Sequence, residues 1–204
     1  MNFIRLNTAF VPPREVSEKA IELSRAIRNL AETHFVLDGV NFYPHVTIYP
    51  PEYPEEKVSE VLGAVEQIAK SISPARFKYS RIDSLQGYVG ISFEHTSEIK
   101  AIHKQVVEAL NPLREEHIRE KYSEYQMQFT AAQLKNIAEY GYPDAMSLYD
   151  PHLTITRLKD ESKAEELVST INWDILEFVV SKIGVYKSGE HGTCKELIKE
   201  FNLG

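Results

Sequence analysis

Cysteine is almost missing from the chain: Cys194 stands alone among 204 residues. One thiol closes no internal disulfide, and without a Cys-x-x-Cys pair no thiolate zinc site is on offer. No apolar run reaches the length of a bilayer crossing, and Met1-Asn2-Phe3-Ile4-Arg5-Leu6 lacks the basic stretch and apolar run of a secretory signal. The expectation is a cytoplasmic protein without membrane contact. Excess positive charge is missing too. With 23 Lys and Arg against 30 Asp and Glu the formal net charge is −7, which argues against an extended nucleic-acid surface built on many phosphate contacts. A nucleotide or a short RNA end stays open, because one phosphate needs only a few local donors in a cleft.

What is present is the composition of an ordinary globular protein, 43% hydrophobic and 26% charged, at a length that fits one monomeric domain over residues 1–204. Residues 3–11 read as a strand stopped by Pro12-Pro13, and a helix with apolar positions from Ala20 to Leu30 follows from Ser17. Aromatic and β-branched residues over 41–49 predict a strand that ends at Pro50-Pro51. Next come a helix over about 54–72, a hairpin of strands 77–82 and 88–93, and a helix capped by Ser97 that is interrupted at Asn111-Pro112. Residues 113–149 are polar with scattered aromatics and one helix over 131–140; they read as a connection or lid between lobes. The run 114–121 reads as a solvated helical face. The earlier order then returns, with strand 151–158, helix 162–171 and strands 178–186 and 197–201.

The repetition is visible in residues. Pro44-His45-Val46-Thr47-Ile48 and Pro151-His152-Leu153-Thr154-Ile155 differ only by a Val to Leu exchange. Residue frequencies predict roughly 0.1 such matches in a chain of this length. In a strand, His45 and Thr47 point to one face and Val46 and Ile48 to the other, and the same alternation separates His152 and Thr154 from Leu153 and Ile155. Related by a pseudo-twofold axis, the two polar faces meet across a groove. Two opposed histidines suit phosphodiester chemistry, since one takes a proton from the attacking oxygen and the other gives one to the leaving oxygen. Two threonine hydroxyls donate to the non-bridging oxygens, where charge develops. This chemistry requires neither metal nor cofactor.

The paired His-x-Thr strands at 45–47 and 152–154, each in a strand-helix-hairpin lobe, resemble the two-histidine (2H) phosphoesterase superfamily, which includes 2′,5′ RNA ligase-like proteins and RNA cyclic phosphodiesterases. The resemblance covers nearly the whole chain. It implies an α+β bilobal fold, with two antiparallel sheets lining a central groove and helices outside. It also implies metal-independent action on 2′,3′-cyclic phosphates or related small phosphodiesters, with His45, Thr47, His152 and Thr154 as catalytic residues. The insert before the second motif is similar to the spacer of a branch associated with phosphonate metabolism, for which the substrate would be a cyclic sugar phosphate. A nucleotide- or RNA-binding module without turnover is the alternative of another class.

Two further residues are candidate substrate contacts. Tyr49 shares the parity of His45 and Thr47, so it either stacks on a base or ribose or packs at a strand end. Arg157 would face away from Thr154 in a regular strand and reaches phosphate only if a bulge intervenes. Lys187 is either a phosphate contact or a solvated charge, Thr156 is read as structural, and His191 as a third metal ligand lacks any supporting spacing. His34, His95, His103 and His117 are expected at surface or capping positions.

Overall fold

Proline sets the first boundary. Strand β1 (Phe3–Phe10) stops before Pro12-Pro13, which cannot donate to a ladder, and helix α1 (Arg14–Leu30) starts directly after Pro13, one turn earlier than the apolar periodicity predicts. The computed structural model describes residues 2–124 and 126–204; Met1 and Tyr125, the latter within the 113–149 insert, lie outside the described residues. After α1 come β2 (Val46–Tyr49), β3 (Glu52–Pro54), α2 (Val58–Ser71), β4 (Ala75–Leu85), β5 (Tyr88–Phe93), α3 (Ser97–Leu110), α4 (Glu120–Glu124) and α5 (Ala131–Tyr140). Then follow β6 (His152–Arg157), α6 (Ala164–Val168), β7 (Glu177–Val180), β8 (Lys182–Ser188) and β9 (Cys194–Asn202). Among the described residues no helix is long and apolar enough to cross a membrane.

Every strand pair is antiparallel, and the strands run in the order β7-β4-β5-β6-β2-β1-β8-β9, with β3 added alongside β1. Only the pair Val46–Leu153 joins β2 to β6. The sheet therefore consists of two four-stranded halves that meet at the two motif strands, as the expected pair of antiparallel sheets requires. The halves are woven from both repeats. The β4–β5 hairpin, which follows the first motif in sequence, pairs with the second motif strand β6. The β8–β9 hairpin, which follows the second, lies beside β1 and so next to the first.

The predicted strand 178–186 is two strands, broken at Ser181: β7 pairs with β4 at one end of the sheet, and β8 pairs with β1 near the other. One linking residue spans only a few Å, so the two ends of the sheet must approach each other. The sheet curls into a half-barrel around a central hollow. Strand β2 is shorter than expected because the Asp38 carboxylate accepts backbone N–H bonds from Val40, Asn41 and Phe42, folding residues 38–42 into a turn. The hairpin β4–β5 turns at Gln86-Gly87, both left-handed (φ 51° and 79°), the conformation that matches strand twist and that Gly tolerates best. Thr96, rather than Ser97, caps α3 by accepting from the Ile99 N–H.

Val46, Ile48, Leu153 and Ile155 are fully buried on the outer face of the motif strands, packed with Val16, Ile27, Val61, Val65, Ile99 and Val106 from the helices. Burial of this face holds the opposite, polar face toward the hollow. Its apolar contribution is on the order of 2 kcal/mol per aliphatic side chain.

The insert is pinned rather than loose. Arg114 is buried and donates to Asn111 Oδ1 (2.6 Å) and to the carbonyls of His117 (2.6 Å), Glu139 (2.8 Å) and Ala138 (3.3 Å). Tyr149 donates to the Thr47 carbonyl (2.9 Å). His103, expected near the surface, is buried: its Nδ1–H donates to the Ile48 carbonyl (2.9 Å), its Nε2 accepts from the Met146 N–H (2.8 Å), and its ring stacks on Tyr149. The run 114–121 is thus not a solvated helical face. Helix begins only at Glu120, Arg114 is buried, and His117 stacks on Phe3 while bonding Glu52 (2.9 Å).

Candidate active site

The two motif histidines are held in the same way. Each follows a proline, and each Nδ1–H donates to the carbonyl two residues back, His45 to Tyr43 (2.8 Å) and His152 to Asp150 (2.8 Å). A carbonyl can only accept, so in the neutral rings these bonds place the proton on Nδ1 and leave Nε2 unprotonated. Pro44 and Pro151 hold Tyr43 and Asp150 in extended backbone, which aims those carbonyls. The Asp150 side chain is itself bonded by His95 Nε2 (2.8 Å).

One irregularity, present twice, decides which neighbours reach the hollow. Across β1, Ala9 faces Thr47 and Thr8 faces Tyr49; across β5, Gly90 faces Thr154 and Val89 faces Thr156. In each motif strand the isoleucine after His-x-Thr, Ile48 or Ile155, is the extra residue of a bulge. The bulge reverses parity beyond it. Tyr49 and Thr156 therefore turn into the core, and Pro50 and Arg157 turn into the hollow.

The expectation that Tyr49 stacks on substrate is corrected on this ground. Its side chain is fully buried and its hydroxyl donates to the Tyr140 carbonyl, with Asn111 Oδ1 beside it; burial pushes its phenol above the ordinary value. Thr156 is structural, donating to the Phe35 carbonyl (2.7 Å). Arg157 gains the bulge it needs. It lines the hollow over the Tyr88 ring (4.8 Å), bonded to Glu161 (2.8 Å), the Gln86 carbonyl (3.2 Å) and His191 Nδ1 (3.2 Å). Lys187 points elsewhere, paired with Glu196 at 2.8 Å.

The hollow is a cavity of about 820 Å³ that brings His45, Thr47, His152, Thr154 and Arg157 together. Thr47 Oγ1 accepts from Asn7 Nδ2 (2.9 Å). This bond leaves the Thr47 hydroxyl proton free to point into the cavity. Asn7, Arg5, Arg119, Lys121, Tyr122 and Tyr142 also line it, and none of them is evident from the motifs. For Asn7 the strand alternation puts residues 5 and 7 on one face, but the pairing that sets β1 beside the motif strand belongs to the tertiary structure. For Arg119 and Lys121 no signal existed, because only the packing of the insert turns them inward. His191, which also lines the cavity, has a left-handed backbone (φ 56°), and its ring lies tilted by 37° against His34 at 4.3 Å. Among the described residues no group of three or more His, Cys, Asp or Glu is placed to share a metal ion.

Burial makes His45 a poor proton binder, lowered to about 4 despite the Tyr43 and Gly192 carbonyls that favour its charged form, with the approach of His152 adding repulsion. His103 is likewise lowered to about 4 by burial. Both folded values lie below the ordinary 6.5, so the unfolded chain takes up protons that the native one refuses. Stability is expected to be level above pH 6.5 and to fall as the pH drops from 6.5 toward 4, approaching about 1.4 kcal/mol per pH unit per group. Urea unfolding at pH 7.5 and pH 5 measures this. An unchanged slope of stability against pH in His103→Ala would refute its part.

A family model described as "Protein of unknown function (DUF1045)" matches residues 47–192. No curated protein matches the chain. Among solved structures, TT0787 of Thermus thermophilus is similar at 15% identity and a TM-score of 0.57, with 98% of each chain covered. E. coli LigT in its apo form is similar at 14% identity and a TM-score of 0.57, covering 100% of this chain and 99% of its own. E. coli LigT complexed with 3′-AMP is similar at 14% identity and a TM-score of 0.54, with 99% of each covered. At such identities the likeness is one of fold, and it agrees with the fold that the resemblance of the paired motifs implied.

Proposed function

As a member of the DUF1045 family, and one built on the 2H phosphoesterase fold, this chain is, we propose, a phosphodiesterase that opens a small cyclic phosphodiester by two-histidine acid/base catalysis. The observation that carries the reading is the matched pair of imidazoles in one cavity, each with Nδ1–H tied to a carbonyl two residues back and Nε2 unprotonated. That E. coli LigT forms a complex with 3′-AMP in the same fold supports a nucleotide-like substrate.

The difference in burial supports a division of roles. His45, kept neutral, is the base: its Nε2 takes a proton from water as the water oxygen bonds to phosphorus. His152 is less buried and shares the cavity with Asp144; as the acid, in its protonated form, it delivers the proton on Nε2 to the leaving ester oxygen as the P–O bond breaks. After the step His45 is charged and His152 neutral, and proton exchange with solvent restores the pair. Thr47, oriented by Asn7, and Thr154 donate to the non-bridging oxygens, where negative charge grows. A 2′,3′-cyclic phosphate of a nucleotide or RNA end is the substrate this arrangement suits best, and ligation of 2′,5′ RNA would be the same ring opening with the 5′-hydroxyl of a second RNA in place of water.

The test is hydrolysis of 2′,3′-cyclic nucleotides, of an oligoribonucleotide ending in a cyclic phosphate and of cyclic ribose phosphates, all in excess EDTA. Turnover that survives chelation supports the reading, and the preferred substrate separates a nucleotide from a cyclic sugar phosphate. Turnover that appears only with added metal would sink it.

A further inference from the structure

Five cationic side chains line the catalytic cavity: Arg5, Arg81, Arg119, Lys121 and Arg157. Three are matched by carboxylates, Arg81 by Asp83 (2.7 Å), Arg119 by Glu52 (3.1 Å) and Arg157 by Glu161 (2.8 Å). Among the described residues Arg5 and Lys121 have no ion-pair partner. Among the described residues Arg5 makes two long hydrogen bonds, to the carbonyls of Pro50 (3.4 Å) and Gly189 (3.4 Å), which leaves most of its five donors unspent.

These cations are grouped. Arg5 lies on β1 on the same face as Asn7, which holds Thr47, so it stands one side-chain repeat, about 7 Å, along the strand from the catalytic machinery. Arg119 and Lys121 come from the insert on the same side. Burial and then the nearness of Arg119 lower the proton affinity of Arg5, and partial burial followed by Arg119, Arg5 and Arg157 lowers that of Lys121. Glu52, paired with Arg119, and the more distant Glu190 offset only part of this charge, and the like charges left over repel one another unless an anion sits among them. The group is also rigid. Glu52 clamps both Arg119 and His117, His117 stacks on Phe3, and the His117 carbonyl accepts from buried Arg114. Tyr122, close to Arg5 and Arg119, and Tyr142 close the wall. Cations preorganised in this way bind without the ordering cost that flexible surface lysines carry.

We propose that Arg5, Arg119 and Lys121 form a second anion site beside the catalytic histidines, and that the substrate carries a further phosphate group in addition to the diester that reacts. The inference rests on the phosphodiesterase reading for the word substrate, but the site itself is testable without turnover. The second charge has two possible sources, a phosphate monoester on a small molecule or the next backbone diester of an oligonucleotide.

Calorimetric binding to the His45→Ala/His152→Ala protein, which needs no catalysis, compares adenosine 3′-monophosphate, adenosine 3′,5′-bisphosphate and a diadenosine dinucleotide ending in a 3′-phosphate. At least one of the two doubly charged ligands is expected to bind tighter than the monophosphate by about tenfold or more, roughly one charge-assisted hydrogen bond. The preference should shrink with added salt, should fall to within about twofold on adding Arg119→Ala and Lys121→Ala, and should return with Lys121→Arg in place of Lys121→Ala. Preference for the bisphosphate points to a small phosphorylated substrate, and preference for the dinucleotide to an RNA end. Equal binding of all three ligands, or a preference that the Arg119 and Lys121 substitutions leave intact in a protein with native melting, overturns the proposal. Failure of turnover with tight, selective binding would overturn the enzymatic reading and leave the anion site standing.

Discussion

Replacing His45 or His152 with Ala is expected to lower kcat on an accepted cyclic phosphodiester by about 10³-fold, within the 10²- to 10⁴-fold that one positioned acid or base contributes. The two groups act on one proton inventory, so the double variant should be little slower than either single one. The motif strands remain anchored by Val46, Ile48, Leu153 and Ile155 on the opposite face, so both variants should stay folded. Initial rates measured with the circular dichroism melt of each protein decide the matter. A single variant that keeps more than about a tenth of wild-type turnover, well outside the general acid/base range, would remove that histidine from the mechanism.

The second large effect is on stability. Among the described residues Arg114 has no ion-pair partner; its guanidinium is spent on four oxygens that belong to the C-terminal turn of α5, to Asn111 and to His117. Two of these carbonyls, of Ala138 and Glu139, end a helix and have no partner of their own further along it. Arg114→Ala removes all four bonds and the buried guanidinium that makes them, leaving the Glu139 carbonyl only its bond from Asn111 Nδ2 (3.1 Å), and is expected to cost about 3 kcal/mol, since hydrogen bonds to a charged group contribute about 1.5–3 kcal/mol. Arg114→Lys should recover only part of it, because a point charge cannot reproduce the planar fork. The urea midpoint measures the loss. A change below about 1 kcal/mol would show that the insert is not held through Arg114.

That expectation follows from a fact the sequence hides. The run from Arg114 to Lys121 reads as a solvated helical face because it alternates charges, and charge alternation without tertiary context says solvent. In the structure its members divide among three tasks: Arg114 locks the insert, His117 braces Glu52, and Arg119 with Lys121 faces the cavity. Tyr49 shows the same kind of limit. Strand parity alone aims it at substrate, and a one-residue bulge at Ile48 turns it into the core; the twin bulge at Ile155 turns Arg157 the opposite way, into the cavity.

What the amino-acid sequence determined alone is local and periodic. The paired Pro-His-x-Thr strands, the apolar face opposite each, and α5, which spans the predicted 131–140, all follow from side-chain alternation, helical spacing and end signals within a few residues. Only the tertiary structure decided which hairpin flanks which motif, that Ser181 divides one predicted strand between distant parts of a curled sheet, and which cations face the hollow. Those outcomes depend on pairings between residues far apart in the chain. Such pairings are fixed by register, by bulges and by the burial of whole faces, and no window of neighbouring residues contains them.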